Sequence, residues 1–356
     1  MTLAPPRPLF PTLIGHQQVK LDLFSCLQRG RLRGSFLLVG PEGVGRALLA
    51  ERLAMAATCQ GQAPAPLPCG ACGPCGRIAR RTSGDFYPLA LPEGKSKIPI
   101  ADVRAMLNEL ALAPVESPIR SFLIEGVGDL MEESQNALLK ALEEPPETAL
   151  ILLVAERPDE VLPTILSRCR IIRLGELTLD QVAEVLRARG ADQAELRAAW
   201  SAGSPGQALS DEALAAAEAC QGLLDDLVSG RAYSDPLGCV ETLGEFVKPG
   251  KGEARGQRSR VTRLARLAQR SLRDALLRRE GGQSLRLSGA TDAALSALAA
   301  LPRGRLEAAL DVLNRVDQEL ERNPNVKLLL DGMVLELGSA LPVPTRTHSN
   351  APSGRR

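Results

Sequence analysis

Short apolar runs alternate with helix-like segments along the first half of the chain. The runs predict five strands, near residues 35–39, 85–91, 121–124, 149–155 and 169–174. Between them, apolar positions repeat at helical spacing over residues 46–57, 100–112 and 132–143. The run 149–155 is apolar throughout, which is typical of a strand buried on both faces of a parallel sheet. This alternation predicts a doubly wound α/β domain, whose ligand sites lie at the carboxyl ends of the strands.

The strand pattern ends near Leu174, and helical patterns follow it. Thr178 and Gln181 have the spacing of a capping box, which predicts that a helix begins there. The further predicted elements are a helix near 192–202, a turn at 203–206 and Ala/Leu-rich amphipathic helices to about residue 339. The second half of the chain is therefore predicted to be all-helical.

Two polar segments stand out in the helical half. Residues 248–260 are basic and rich in Gly, which predicts a loop. A charge run of this kind favours a solvated loop, and contact with DNA or with another subunit is the alternative. The tail, residues 341–356, is rich in Pro, Ser, Thr and Arg and is predicted to be disordered.

Composition narrows the class of protein. A chain of 356 residues is too long for one ordinary domain, and 44% apolar with 24% charged residues is typical of a soluble globular protein. The net charge of +1 gives no overall field that would draw the chain to nucleic acid or to a membrane. Aromatic residues at 3% argue against a protein that binds single strands by base stacking. No apolar run is long enough for a transmembrane helix, so a cytoplasmic location is expected.

A glycine-rich turn joins the first predicted strand to the first predicted helix. Gly40, Gly43 and Gly45 place glycines as in a phosphate-binding loop, whose motif is G-x-x-x-x-G-K-[ST]. Arg46 stands at the Lys position, and Ala47 stands where a hydroxyl would hold Mg²⁺. Ala47 cannot ligate a metal, and Arg46 carries its charge on a bulkier planar group. The turn therefore predicts a degenerate phosphate loop that hydrolyses ATP poorly or not at all, with a chance glycine-rich turn as the alternative.

The end of the third predicted strand shows a second loss. Active NTPases of this class place Asp-Glu there, for Mg²⁺ and for the attacking water. This chain has Glu125 followed by Gly126, so that one acid remains. Two losses at one site predict that hydrolysis is no longer performed there. Whether a nucleotide still binds at residues 40–47 stays open.

Half of the eight cysteines cluster in sequence. They are Cys59, Cys69, Cys72 and Cys75. C-x₂-C turns present paired thiolates to tetrahedral Zn²⁺, and glycines at positions 70, 73 and 76 are expected to allow tight turns. In a reducing compartment this pattern favours zinc over free thiols or redox use. Because no His lies nearby, a closed structural Cys₄ site is predicted, with partner or DNA contact as a further possible role.

Two motifs resemble the bacterial clamp loader of DNA polymerase III, an assembly of the AAA+ superfamily. They are Asn-Ala-Leu-Leu-Lys-Ala-Leu-Glu-Glu-Pro-Pro at 136–146 and Thr-Ile-Leu-Ser-Arg-Cys at 164–169. The opening Leu-Ile-Gly-His-Gln at 13–17 is similar to the amino-terminal element of that family. The resemblance is dense from about residue 12 to 208 and only architectural beyond. Within the family the chain is most similar to the delta-prime subunit, because its phosphate loop and acidic strand end are degraded.

The resemblance implies a subunit of a hetero-oligomeric ring that loads the sliding clamp onto primer–template DNA in replication. The implied partners are the ATPase subunits tau/gamma, the delta subunit, the clamp, and DNA held by the complex. ATP would lie only at the interface with a neighbouring subunit, and Arg168 would reach it as an arginine finger in trans. On position alone, a structural ion pair of Arg168 is the alternative. The chain would then be no enzyme by itself, but a non-catalytic subunit of the DNA polymerase III holoenzyme.

The resemblance also implies a domain plan. Residues 1–174 would form an AAA+ nucleotide-binding-like α/β domain with a zinc module at 59–75, residues 175–207 a helical lid, and residues 208–340 an α-helical collar for oligomerisation. Active relatives carry a nucleotide-sensing arginine after the lid, and Gly206 stands at that position. Two other functions stay open: an active tau/gamma-like AAA+ ATPase, and a zinc-dependent nucleic-acid-binding module outside replication.

Overall fold

The computed structural model describes residues 10–341 except 31, 63–64, 66, 93–94, 96, 211, 249–253, 283–287 and 322–324. The chain divides into two compact units, of which the first comprises residues up to 190 together with 203–207. The second comprises residues 191–202 and those from 208 onward. The predicted division into three domains stays a prediction. The predicted tail lies outside the described residues, apart from Leu341. No helix in the described part of the chain has both the length and the apolarity needed to span a bilayer.

The first unit is a parallel sheet with helices packed against both faces. Its strands are β1 (Gly34–Val39), β2 (Phe86–Ala90), β3 (Arg120–Glu125), β4 (Ala149–Ala155) and β5 (Arg170–Arg173). Its helices are α1 (Gln17–Gln28), α2 (Arg46–Thr58), α3 (Gly73–Ala79), α4 (Ile100–Leu110), α5 (Glu132–Glu143), α6 (Pro163–Leu166) and α7 (Leu179–Ala188). The strand order is β2-β3-β4-β1-β5, and every pair is parallel. The predicted AAA+ doubly wound α/β fold is confirmed, and each predicted strand matches within one residue at either end.

Two hydrophobic clusters, one on each face, hold this sheet. Side chains alternate along β1, so Phe36 and Leu38 join the cluster with α2, whereas Leu37 and Val39 join the cluster with α4 and α5. Every residue of β4 is buried, which confirms the prediction for its continuous apolar run. Because both faces are covered, the exposed parts of the sheet are the ends of its strands.

The carboxyl ends of the parallel strands meet at one edge of the sheet. Gly40 follows β1, Glu125 ends β3, and Glu156 follows β4. These three strands are neighbours in the order β3-β4-β1, so the loops that follow them lie side by side. Such an edge is where ligand sites of open α/β sheets form. The phosphate-loop candidate therefore lies at the expected edge.

The second unit consists of helices, within the described residues. They are α8 (Ala194–Trp200), α10 (Glu212–Ser229), α11 (Arg231–Ser234), α12 (Pro236–Val247), α13 (Ala254–Arg279), α14 (Asp292–Ala299), α15 (Arg303–Glu321) and α16 (Val326–Ala340). A four-residue helix, α9 (Pro205–Ala208), spans the boundary between the units. Apolar faces of the helices of the second unit pack into one core, which includes Trp200, Leu224, Leu264 and Val334. The prediction of an all-helical second half is confirmed.

The predicted basic loop is wrong over much of its length. Residues 249–253 lie outside the described part, and α13 begins at Ala254. Helical spacing of Val261, Leu264 and Ala265, all fully buried, draws this part of the segment into the helical core. Arg260 pairs with Glu212 at 2.7 Å between Nη2 and Oε1, so this cation is a packing element and not part of a solvated loop.

Two smaller predictions also need correction. The helix predicted near 192–202 is shorter, because Gln193 and Ala202 adopt positive φ values of 53° and 59° at its ends. The turn predicted at 203–206 continues into the short helix α9. The capping box is confirmed, because the Thr178 hydroxyl accepts from Gln181 N at 3.3 Å. In return, Gln181 Oε1 accepts from Thr178 N at 3.1 Å.

Candidate functional site

The phosphate-loop candidate connects β1 to α2 at the carboxyl edge of the sheet. Gly45 is the residue before α2 and has a φ of 104°, a conformation that favours glycine. Gly40 needs glycine for a different reason, since a Cβ there would lie 2.2 Å from the carbonyl oxygen of Leu174. The loop thus has the backbone shape and helix N-terminus that suit an anion. Ala47 occupies the second position of α2 and offers no metal ligand.

A second segment of the first unit packs on the apex of this loop. The Ser204 hydroxyl donates to the carbonyl oxygen of Glu42 at 2.7 Å. The N–H of Gly206 donates to the carbonyl oxygen of Gly43 at 2.9 Å. A Cβ at Gly206 would lie 2.8 Å from the Cα of Gly43, closer than real side chains approach. The position that holds a sensor arginine in active relatives is therefore in contact with the loop backbone and has no room for a side chain.

This contact predicts that restoring a side chain at Gly206 destabilises the fold. We expect Gly206→Ala to cost about 1–3 kcal/mol in the free energy of unfolding, because the added Cβ overpacks a backbone contact. The Gly206→Arg variant is expected to lose at least as much stability and to gain no ATP turnover. Urea denaturation of the first unit's transition measures the stability.

Gly175→Ala is the matched control for this experiment. No atom lies within 4 Å of a Cβ at Gly175, so that the variant carries the ordinary backbone effect of alanine without the clash. Equal urea midpoints for Gly206→Ala and Gly175→Ala would show that the close contact between Gly206 and Gly43 carries no stability.

Arg46, the first residue of α2, lies among carboxylates of its own chain. Burial lowers the pKa of its guanidinium, and the negative charges of Glu156, Glu42 and Glu160 act in the opposite direction. In an active site of this class, the cation at this position faces the β- and γ-phosphates. Here the chain's own acids partly neutralise that cation, and they would also repel a triphosphate. This charge arrangement is a poor fit for ATP.

Glu125, the single acid left at the end of β3, has a partner of its own. The Nη2 of Arg81 lies 3.0 Å from its Oε1. Gly126, at the place of the second acid, has a φ of 91°, and a Cβ there would lie 2.6 Å from Asp129 Oδ2. With Ala47 in α2 and Glu125 in an ion pair, the residues that would hold Mg²⁺ do not fit that role. The hydrolysis site predicted to be degraded has, in three dimensions, no complete set of metal ligands among these positions.

Arg168 lies between α6 and β5, with its side chain about one-third exposed. Its Nε donates to Glu143 Oε1 at 2.9 Å, and its Nη2 donates to the same oxygen. Its Nη1 donates to the carbonyl oxygen of Thr164 at 2.9 Å. In the free chain, Arg168 is therefore in an ion pair, which is the alternative that the sequence left open. Since the pair is partly exposed, the guanidinium is also accessible to another subunit.

The four clustered cysteines meet at one point of the first unit. Cys59 follows α2, Cys72 precedes α3, and Cys75 lies within α3. Together with Cys69, their sulfur atoms all lie within 4.8 Å of one another. Four sulfurs around a zinc ion at 2.3 Å would be separated by about 3.8 Å, so the cluster can hold a metal ion with little adjustment.

Backbone contacts around the sulfurs suit thiolates. The Cys69 N–H donates to Cys59 Sγ at 3.4 Å, and the Cys72 N–H donates to Cys69 Sγ at 3.3 Å. The second of these bonds is the main cause that lowers the pKa of Cys69 to about 6. Burial instead raises the pKa of Cys75. An all-sulfur donor set with N–H···S bonds fits Zn²⁺, and when bound the ion would link α2 to α3.

The glycines of this module differ from the expected roles. Gly70 has the positive φ of 70° that a tight turn needs, but Gly73 and Gly76 lie within helix α3. The closest constraint falls on Gly61, where a Cβ would lie 2.7 Å from the Cβ of Cys69. Spacing to the cysteines did not reveal Gly61, because the constraint comes from chain packing across the module.

Sequence reasoning missed three charged residues at the carboxyl edge of the sheet or near it: Arg81, Glu143 and Glu156. A usable signal existed for Glu156, because it directly follows a buried strand whose carboxyl end borders the phosphate loop. No local pattern marks Arg81 or Glu143, since their partners lie 44 and 25 residues away along the chain.

Comparison with known proteins gives consistent relatives. Residues 15–178 match a family model described as DNA polymerase III, delta subunit. The chain is 32% identical to DNA polymerase III subunit tau of Escherichia coli over 254 residues, which are 67% of this chain and 39% of that protein. It is 33% identical to subunit gamma/tau of Mycobacterium tuberculosis over 159 residues, which are 45% of this chain and 27% of that protein.

Among solved structures, a DNA polymerase III gamma subunit-related protein from Thermotoga maritima is similar. The match covers 89% of this chain and 99% of that chain, with 16% identity and a TM-score of 0.43. The alignments to the tau and gamma/tau relatives above span less than half of those proteins' own length.

Proposed function

We propose, from the premise that residues 15–178 form a DNA polymerase III delta-subunit-like domain of the clamp-loader family, that the chain is a delta-prime-like subunit of the clamp loader. It assembles with tau/gamma ATPase subunits and with delta, and the complex loads the sliding clamp onto primer–template DNA. The chain itself hydrolyses no ATP. It supplies Arg168 to the ATP bound by a neighbouring subunit.

The observation that carries this proposal is the contrast between two sites of the first unit. At the phosphate loop, Ala47 offers no metal ligand, Glu125 is paired with Arg81, and Gly206 has no room for a sensor side chain. At the other site, Arg168 keeps a guanidinium that is one-third exposed on an anchored backbone. Its N–H donates to the carbonyl oxygen of the fully buried Ile165 at 3.0 Å. Losing one site while keeping the other suits a subunit that assists hydrolysis without performing it.

The proposed chemistry at the neighbour's site is electrostatic. A planar guanidinium neutralises charge that develops on the transferred phosphoryl group, and such fingers contribute about 10³–10⁵ in rate. Arg168 exchanges the carboxylate of Glu143 for a phosphate oxygen when the subunits assemble. The metal ion of the cysteine cluster is proposed to be a structural zinc, and ATP enters only at the interface between subunits.

An active tau/gamma-like ATPase is the second candidate, because the curated relatives reported above are tau and gamma/tau subunits. In that function, Arg46 would replace the Lys of the phosphate loop. The charge around Arg46 argues against it, since Glu42, Glu156 and Glu160 already surround the cation.

The purified chain separates the two candidates. We expect no turnover of Mg·ATP by the chain alone, and co-elution with tau/gamma and delta in size-exclusion chromatography. The Arg46→Ala variant is the control for a contaminating ATPase. Turnover by the chain that Arg46→Ala abolishes would establish the second candidate, and failure to assemble with tau/gamma and delta would remove the first.

A further inference from the structure

Glu143 holds the guanidinium of Arg168 by one edge. The Nε–H and one N–H of Nη2 both donate to Glu143 Oε1, with Nε at 2.9 Å. The Nη1 donates to the Thr164 carbonyl oxygen at 2.9 Å and lies 3.3 Å from the Ser167 hydroxyl. A guanidinium has five N–H donors, so the second N–H of Nη2 remains, and no described residue accepts it. The side chain is thus fixed on one edge and keeps a donor for another anion.

The location of Glu143 is unfavourable for its own helix. It is the last residue of α5, where the partial negative charge of the helix C-terminus disfavours a carboxylate. The helix itself is anchored by Leu138 and Leu142, which are buried against the sheet. Since helix stability gives no reason for an acid here, the contact with Arg168 is the physical role that the structure offers for Glu143.

We infer that Glu143 is a positioning residue for the arginine finger. This inference rests on the proposed function of Arg168. The carboxylate holds the Nε edge, so that the remaining Nη donors face a phosphate oxygen of the neighbouring subunit's ATP with few rotamers left to restrict. The long side chain of arginine loses considerable freedom when it binds, and a preformed contact reduces that loss.

The test uses the complex reconstituted with tau/gamma and delta, on primed DNA with the clamp. The arginine of the ATPase subunits' own Ser-Arg-Cys motif is replaced by alanine, so that Arg168 is the finger that is measured. We expect Glu143→Ala to lower kcat for ATP by about tenfold, because a misplaced group loses rate, and to leave KM and assembly unchanged. Glu144→Ala is the matched control, since Glu144 is the next residue and is also exposed. It is expected to behave as the parent complex does.

A double-mutant cycle distinguishes positioning from a structural role. If Glu143 acts through Arg168, Glu143→Ala has no further effect on kcat once Arg168 is alanine. A purely structural role would lower kcat in both backgrounds, and that result overturns the inference. An unchanged or higher kcat for Glu143→Ala also overturns it, the latter because Glu143 would then restrain the finger. If Arg168→Ala itself has no effect, the proposed function fails instead.

Discussion

Replacing Arg168 by alanine is expected to reduce ATP turnover at the neighbouring subunit's site by a factor on the order of 10³ or more. The guanidinium is the only group of this chain that we assign to that site, and no other charge of Arg168 remains after truncation. Clamp loading should fall with it. In a complex with unaltered ATPase subunits, the decrease in total turnover is smaller, because the other interfaces still hydrolyse ATP.

The same variant should leave the fold and the assembly nearly intact. The ion pair with Glu143 is partly exposed, with 33% and 48% of the two side chains accessible, and such pairs contribute about 0–1 kcal/mol. Circular dichroism melting and size-exclusion chromatography measure both properties. The expected signature is therefore a large kinetic loss with a small change in stability.

Arg104→Ala is a suitable control for Arg168→Ala. Arg104 also pairs with a glutamate of α5, Glu133, at 3.2 Å, but 66% of its side chain is exposed on α4. Turnover equal to that of the parent complex is expected for this variant. If Arg168→Ala loads clamps as fast as the parent, the finger assignment is wrong. Equal losses for both variants would point to a general effect of surface charge.

Removing the metal from the cysteine cluster is expected to release the module that spans residues 59–79. We expect one zinc per chain by elemental analysis, and none in Cys75→Ala. The metal joins α2 to α3, and Cys75 and Ile78 are fully buried in the core of the first unit. Because binding energy at a structural zinc site is folding energy, we expect the unfolding free energy to fall by about 3 kcal/mol or more.

Cys239→Ala is the matched control, because Cys239 is also fully buried but lies in the helical second unit. It should keep its zinc and lose less stability. Limited proteolysis in a chelator should cut wild type within 59–79 and leave the β-sheet protected. A chain that contains no metal, and whose melting and proteolysis do not change with chelator, would remove zinc from the structure.

Much of the fold was predictable because it follows from local periodicity. The continuous apolar run at β4 predicted a strand buried on both faces, and alternation with helices predicted the parallel sheet. The basic segment was mispredicted for the opposite reason. Its arginines and glycines dominate the local composition, whereas the buried Val261 and Leu264 decide the structure by packing against other helices.

The candidate sites divide in the same way. The sequence by itself determined that the phosphate loop lacks a metal ligand at Ala47, and that four cysteines lie at spacings suited to zinc. These are properties of residue type and short spacing, which the chain fixes before it folds. The role of Arg168 came from the resemblance of its motif to the clamp-loader family and stays a proposal.

Only the tertiary structure decided which groups face each other. It pairs Arg168 with Glu143, 25 residues away, and Glu125 with Arg81, 44 residues away. It also brings Ser204 onto the phosphate loop at Glu42, across 162 residues. Such contacts depend on the strand order and on the paths of the loops, which are set by burial of the two sheet faces as a whole. Periodicity carries no information on them, because each involves residues whose local patterns are independent.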